Sequence, residues 1–253
     1  MQFAAKPGLL TARAANWLVA LVACGLVLSP RAEAEWNFSG YIGSVHTQNS
    51  TLSLQALSAT TDLRFHDVKW AGESFRGPLY YGVRGGYFFS RHFGLEAEFI
   101  HMKVFAPTQR TVVADGVLRG ASVSGAMPMN AVVERFNISH GNNLLLGNFV
   151  VRQDFWRDDD RLGRVIVSAR VGFGGSIPHP ESTVLGVSDE HYQGGSPAGQ
   201  VAAGVELRLL RHLYWMGEYK LTRNRQHVRV AGDGTAAAAF NSHHVVTGVA
   251  VHF

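Results

Sequence analysis

The sequence predicts an all-β fold: an eight-stranded antiparallel β-barrel that crosses an outer membrane. Three observations predict it. Apolar and polar residues alternate with period 2 along the chain beyond residue 34, and helical i, i+3, i+4 stripes are hard to find. The connections between alternating runs are by turns short and long, the arrangement of bacterial outer-membrane barrels. The composition agrees, since the 253 residues are 46% hydrophobic and 11% aromatic but only 17% charged, with Gly 28 and Pro 8. Disorder needs low hydrophobicity and high net charge, which this chain lacks. It has no Gly-X-Y period, and no uncharged apolar stretch of about 18 residues that could form a membrane helix.

Residues 1–34 have the layout of a secretory signal peptide. Lys6 and Arg13 precede an apolar run from Ala14 to Leu28, and Ala32-Glu33-Ala34 supplies a small-x-small cleavage site. Leu21-Val22-Ala23-Cys24-Gly25 also resembles a lipoprotein signal, but the apolar run continues past it to the better site. Cys24 is the one cysteine, so residues 35–253, the barrel, hold no thiol for a disulfide, a zinc site or a nucleophile.

Eight strands are expected in order: Trp36–Val45, Tyr80–Phe89, Phe93–Val104, Asn143–Phe155, Arg164–Ser176, Gln200–Leu209, Leu213–Val228 and His243–Phe253. Several match the roughly 9–11 residues of a tilted membrane strand. Ser90-Arg91-His92, Trp156 to Gly163 and Leu210-Arg211-His212 join them briefly. Segments 46–79, 105–142, 177–199 and 229–242 read as long loops rich in Gly, Ser, Thr and Ala. An even strand number puts both termini on the short-turn, periplasmic side.

The strand faces say what solvent surrounds the barrel. Val165, Val167, Ala169, Val171 and Phe173 share one side, with Ser168, Arg170, Gly172 and Gly174 on the other. Val201, Ala203, Val205 and Leu207 oppose Ala202, Gly204, Glu206 and Arg208. The polar face carries both charge signs, at Arg84, Glu96, Glu98, Arg152, Arg170, Glu206, Glu218 and Lys220. Buried charges are tolerable when paired, so a polar lumen and an apolar, lipid-facing exterior are expected. Phe88, Phe89, Phe93, Phe155, Trp156, Tyr214 and Trp215 cluster at the short turns as an aromatic girdle. The chain ends on Phe253, a terminal signal of the kind that barrel-assembly machinery reads.

Soluble-enzyme signatures are missing. Gly172-Phe173-Gly174-Gly175 precedes no helix, so it reads as small residues facing a narrow lumen and no nucleotide cofactor is expected. There is no G-x-S-x-G, P-loop or H-E-x-x-H. A formal charge of +4 without a basic run gives no support to nucleic acid as a partner. The histidines are more informative. His101, His140, His179, His191, His243 and His244 lie near the long-loop ends of strands, expected beside Lys103, Glu181, Tyr192, Gln193 and Glu218. Converging imidazoles and carboxylates can ligate a divalent metal or act as acid and base near neutral pH. Single loop histidines are commonly just solvated, and parity puts Glu218 and Lys220 in the lumen, where an ion pair is the plainer role.

Particular residues resemble a known family. Trp70-x-Gly72-x-Ser74-Phe75, Pro78-x-Tyr80-Tyr81-Gly82-x-Arg84, Phe99-x-His101-x-Lys103-Val104, Pro178-His179-Pro180-Glu181, Tyr192-Gln193 and Glu218-Tyr219-Lys220 are similar to segments of small outer-membrane barrels called lipid A oxidases. The resemblance implies oxidation of the proximal glucosamine of lipid A to an aminogluconate with molecular oxygen, and lipopolysaccharide as partner. His140-Gly141-Asn142-Asn143 departs from the Asp-Gly-x-Asn expected there, and the segment from Pro107 to Val133 is unusually long. The residues expected to carry catalysis are His101, Lys103, His140, His179, Glu181 and Glu218, with a divalent metal on His140, His179 and Glu181. Two rivals stand beside this reading. A lipid A deacylase barrel would carry a His-x-Ser spacing, which occurs nowhere here. A non-catalytic structural or adhesive barrel would use its charges only to fill the lumen.

Overall fold

The computed structural model describes residues 35–157 and 162–253. The signal peptide expected over 1–34 lies outside the described residues. In chain order the strands are β1 (Glu35–Thr47), β2 (Ser50–Ala56), β3 (Thr61–Val68), β4 (Tyr81–Phe88) and β5 (Phe93–His101). There follow β6 (Val104–Phe105), β7 (Thr111–Leu118), β8 (Ala121–Pro128), β9 (Val133–Ile138), β10 (Asn142–Phe155) and β11 (Val165–Pro178). The last are β12 (Glu181–Val184), β13 (Val187–Glu190), β14 (Pro197–Arg208), β15 (Leu213–Arg229) and β16 (Thr235–His252).

Eight of these close a barrel in the order β1-β4-β5-β10-β11-β14-β15-β16, and β16 pairs antiparallel with β1 to complete it. Closure leaves no unpaired strand edge, the condition for backbone to cross lipid. The two ends of the wall meet where Trp36 and Phe253 exchange backbone hydrogen bonds of 3.3 and 2.9 Å. Outward positions in the span are apolar and exposed: Ile42, Val83, Leu95, Leu145, Val167, Val171, Phe173, Val201, Val245 and Val249. Inward positions carry the charges. No helix among the described residues is long and apolar enough to cross a membrane, and the crossing is made by strands. A closed barrel with this apolar skin is a transmembrane barrel of the outer-membrane type.

The lumen is filled by an ion-paired network. Arg84 grips Glu218 with two bonds of 2.9 and 3.1 Å. Arg170 reaches Glu218 at 2.6 Å and Glu96 at 2.8 Å, and Lys220 reaches Glu98 at 2.5 Å. Tyr41 donates to Glu98 at 2.5 Å and accepts from Lys220 at 2.9 Å. Above these ions lies an amide layer, where Gln226 donates to Asn142 at 2.6 Å and to Ser176 at 2.8 Å. Tyr41 fits only because Gly82 lies under it: a Cβ at Gly82 would meet the ring at 2.1 Å. Gly82→Ala should therefore displace Tyr41 and lower stability by about 1–3 kcal/mol, read as an earlier urea-unfolding midpoint in micelles. An unchanged midpoint would show that the ring is not wedged there.

Segments expected as long loops are folded. Stretch 46–79 holds β2 and β3; 105–142 holds β7, β8 and β9; 177–199 holds β12 and β13; and most of 229–242 belongs to β16. Strands β2, β3, β7 and β8 continue the barrel sheet from the start of β16, while β13-β12-β9-β6 form a second sheet. The reason these strands escaped the sequence reading is their polarity. In β3, Leu63 and Phe65 point in while Asp62, Arg64 and His66 point out, because this part of the wall stands in water. Beneath it lies an apolar core including Leu52, Phe65, Trp70, Met102, Phe136 and Phe240. The aromatic girdle differs from the expected one: Phe88 and Tyr214 point inward and are buried, while Trp36, Tyr87, Phe155, Trp156, Trp215 and Phe253 face out.

Candidate metal centre

Two chain reversals at the end of the barrel where β2, β3, β6 to β9, β12 and β13 form a folded cap bring the candidate ligands together. β9 passes into β10 through Ser139-His140-Gly141, where Gly141 has φ of 116°. A Cβ there would meet Asn143 Oδ1 at 2.3 Å and His101 Nδ1 at 2.7 Å, so only glycine lets the chain turn and present His140. β11 ends at Pro178, which pairs with Asn142, and the His179 N–H donates to the Gly141 carbonyl at 3.2 Å. Prolines at 178 and 180 restrict the backbone on either side of His179. Glu181 opens β12 and faces Glu190, the last residue of β13, across an antiparallel pair.

The result is a quartet, His140, His179, Glu181 and Glu190, whose ligand atoms all lie within 4.8 Å of one another. His140 Nδ1 is 2.9 Å from Glu181 Oε1 and 3.8 Å from Glu190 Oε1, and His179 Nδ1 is 4.0 Å from that same oxygen. The His140 and His179 rings meet edge to face at 4.9 Å, and Tyr192 covers His179 at 4.2 Å. Arg135 from β9 holds the second oxygen of Glu181. His179 and Glu181 are buried, while His140 and Glu190 are about half exposed, so the site opens on one side. His179 Nδ1 is buried with no hydrogen-bond partner. Such an atom normally has one, and a cation would supply it. Two imidazoles and two carboxylates are a donor set for zinc or for a redox-active first-row ion. His179 follows Ile177, an exposed apolar residue on the outer face of β11, by two residues.

The three expected metal ligands thus come together, with Glu190 as a fourth that the sequence reading missed. Leu185-Gly186 between two short alternating runs is the signal that could have found it, because a two-residue hairpin turn there sets Glu181 opposite Glu190. The other expected residues lie elsewhere. His101 is the neighbour behind Gly141: its Nδ1 is 2.8 Å from Asn143 Oδ1, its Nε2 is buried without a partner, and Tyr81 stacks on it at 5.1 Å. Lys103 donates to the Arg76 carbonyl at 2.7 Å and lies over the Phe105 ring, and burial pushes its pKa down. Glu218 belongs to the lumen network with Arg84, Arg170 and Lys220. The Trp70 to Arg84 block is largely structural. Trp70 packs edge to face on Phe240 at 5.0 Å, and Ser74 Oγ accepts the Val45 N–H at 3.0 Å.

No family model matches the chain, and no curated protein matches it. Among solved structures it is similar to the outer membrane protein OprG from Pseudomonas aeruginosa, at 10% identity over 88% of this chain and 97% of that one, with a TM-score of 0.49. It is also similar to Neisserial surface protein A, NspA, at 10% identity over 87% and 99%, with a TM-score of 0.39. A third similar structure is Ail, the attachment invasion locus protein of Yersinia pestis, in complex with the heparin analogue sucrose octasulfate, at 8% identity over 88% and 100%, with a TM-score of 0.34.

Proposed function

We propose that this barrel is an outer-membrane enzyme that modifies lipid A, oxidising C1 of the proximal glucosamine with molecular oxygen and a divalent metal held by His140, His179, Glu181 and Glu190. The observation that carries the reading is the quartet itself, half open and two residues beyond the exposed apolar Ile177 at the end of a barrel strand, a position that suits a glycolipid headgroup sugar. The resemblance of the Pro178-His179-Pro180-Glu181 segment to lipid A oxidases supports the substrate. On lipid A whose C1 phosphate has already been removed, the free anomeric hydroxyl loses its proton, C1 loses its hydrogen, and two electrons and two protons pass to oxygen, giving hydrogen peroxide and a lactone. Water opens the lactone to the aminogluconate, a net gain of one oxygen atom. A bound redox-active ion supplies the electron route to oxygen. In this reading the half-exposed Glu190 would bind the ion through one carboxylate oxygen and accept the hydroxyl proton on the other, while Arg135 would keep Glu181 oriented.

His179→Ala should abolish the oxygen-gained lipid A species in mass spectra of lipid extracted from expressing cells, and chelation should do the same to the wild type. Folding should survive, because His179 lies outside the barrel ladder, and heat-modifiable gel mobility checks it. Unchanged oxidation by a folded His179→Ala variant would remove the quartet from the mechanism.

A second reading, a non-catalytic adhesive or structural barrel, is favoured by the folded cap, in which β2, β3, β7 and β8 extend the sheet beyond the barrel. Lipid A that is the same in cells with and without the gene would select this reading.

A further inference from the structure

The outward face of β15 changes character partway along its length. Trp215, Tyr219 and Leu221 face lipid, but Arg223, Arg225, His227 and Arg229 occupy the next four outward positions. The register names their neighbours. Arg223 stands between Gly199 of β14 and Asn241 of β16, Arg225 stands beside Ala239, and Leu221 lies between Val201 and His243. None of these neighbours is acidic, and among the described residues no carboxylate pairs with Arg223 or Arg225. Gly199 offers no side chain, and the wall is hollowed there into a cavity of about 420 Å³. Its floor is apolar, at Val201 and Leu221, and its rim is polar, at Arg223, Asn241, His243 and Gln48. The rim is held in place, for His243 lies 2.6 Å from the Tyr219 hydroxyl and 2.9 Å from Gln48 Nε2.

A hollow with an apolar floor below and unpaired guanidiniums above, at the height where the exterior leaves the bilayer, matches one kind of ligand. It fits an amphiphile whose acyl chain lies along the barrel and whose head is anionic. Successive outward residues on a strand are about 7 Å apart. Two guanidinium forks at that spacing can close on one phosphate, the anion their geometry suits best. We propose that this wall is a seat for a phosphate-bearing lipid of the surrounding leaflet, with phosphate on Arg223 and Arg225, acyl chain on Val201 and Leu221, and headgroup hydroxyls on Asn241 and Gln48. The seat lies on β14, β15 and β16, away from the quartet at the ends of β10 and β11, and it stands whether or not the quartet is catalytic.

The test is binding, not activity. The refolded barrel in neutral detergent is titrated with phosphorylated lipid A, with chemically dephosphorylated lipid A and with inorganic phosphate, and bound lipid is counted by native mass spectrometry. The double variant Arg223→Gln/Arg225→Gln should weaken phosphorylated lipid A about tenfold or more, the scale of a lost charge-assisted contact. Dephosphorylated lipid A should bind the wild type as weakly as phosphorylated lipid A binds the double variant. Arg119→Gln, the same charge loss at the β7–β8 turn, should change nothing. Each single variant should lose part of the affinity, which keeps the test decisive if the double variant does not fold. Equal retention by wild type and double variant would overturn the seat. So would equal binding of the dephosphorylated lipid, or displacement of lipid by millimolar inorganic phosphate, which would mark a site for a free anion.

Discussion

Arg84→Met should destabilise the barrel by about 3–5 kcal/mol, because it breaks a buried charge network from one side. Arg84 stands at the centre of that network with its side chain 1% exposed. It holds Glu218 with two bonds and lies 3.4 Å from Glu98 and 3.8 Å from Glu96. Removing it leaves Glu96, Glu98 and Glu218 to share Arg170 and Lys220, with an uncompensated carboxylate out of reach of water. Methionine fills most of the volume, so the loss reports charge and not a cavity. The measurement is urea unfolding in lipid bilayers, followed by tryptophan fluorescence. Removing the facing carboxylate as well, in Arg84→Met/Glu218→Met, should recover part of the loss, since an apolar pair can replace a buried ion pair at little cost. A single variant as stable as wild type would show that the lumen admits enough water to screen these charges.

The same network explains what the sequence could disclose. Inside the span, lipid on one side and a narrow lumen on the other force strict alternation, so β11 was legible from Val165 to Phe173 residue by residue. The capped end obeys a different rule. There water lies outside and the apolar core inside, so Leu52, Leu63 and Phe65 face inward between polar neighbours. A reader looking for an apolar exterior takes such strands for loops. The candidate centre was partly legible because His140 and His179 sit where β10 begins and β11 ends, which fixes them at the rim without knowledge of the cap. Glu190 depends on the β12–β13 pairing, which only the fold supplies. Parity gave Glu218 its side of the wall correctly, but an inward charge in a barrel of this width finds partners across the lumen before it reaches the rim. Lys103 is drawn away by a backbone carbonyl, an acceptor with no signature in sequence.

Val171→Arg should destabilise the folded barrel by about 2–4 kcal/mol, the cost of an arginine facing hydrocarbon near the midplane. Val171 lies on β11 between Phe149 of β10 and Val201 of β14, far from both the short turns and the cap. Its exposure alone does not tell lipid from water, and a second valine removes the ambiguity. Val113, on the outward face of β7 in the cap, is 56% exposed, and so is Val171. Val113→Arg makes the same change on the same kind of backbone but into water, and it should stay within about 0.5 kcal/mol of wild type. The difference between the two variants therefore isolates the solvent outside each strand, with β propensity and side-chain entropy cancelling. Unfolding of both variants in bilayers of one composition checks it. Equal costs at the two positions would mean that β11 does not face hydrocarbon at Val171. The apolar exterior of the barrel would then have to be covered by protein rather than by lipid.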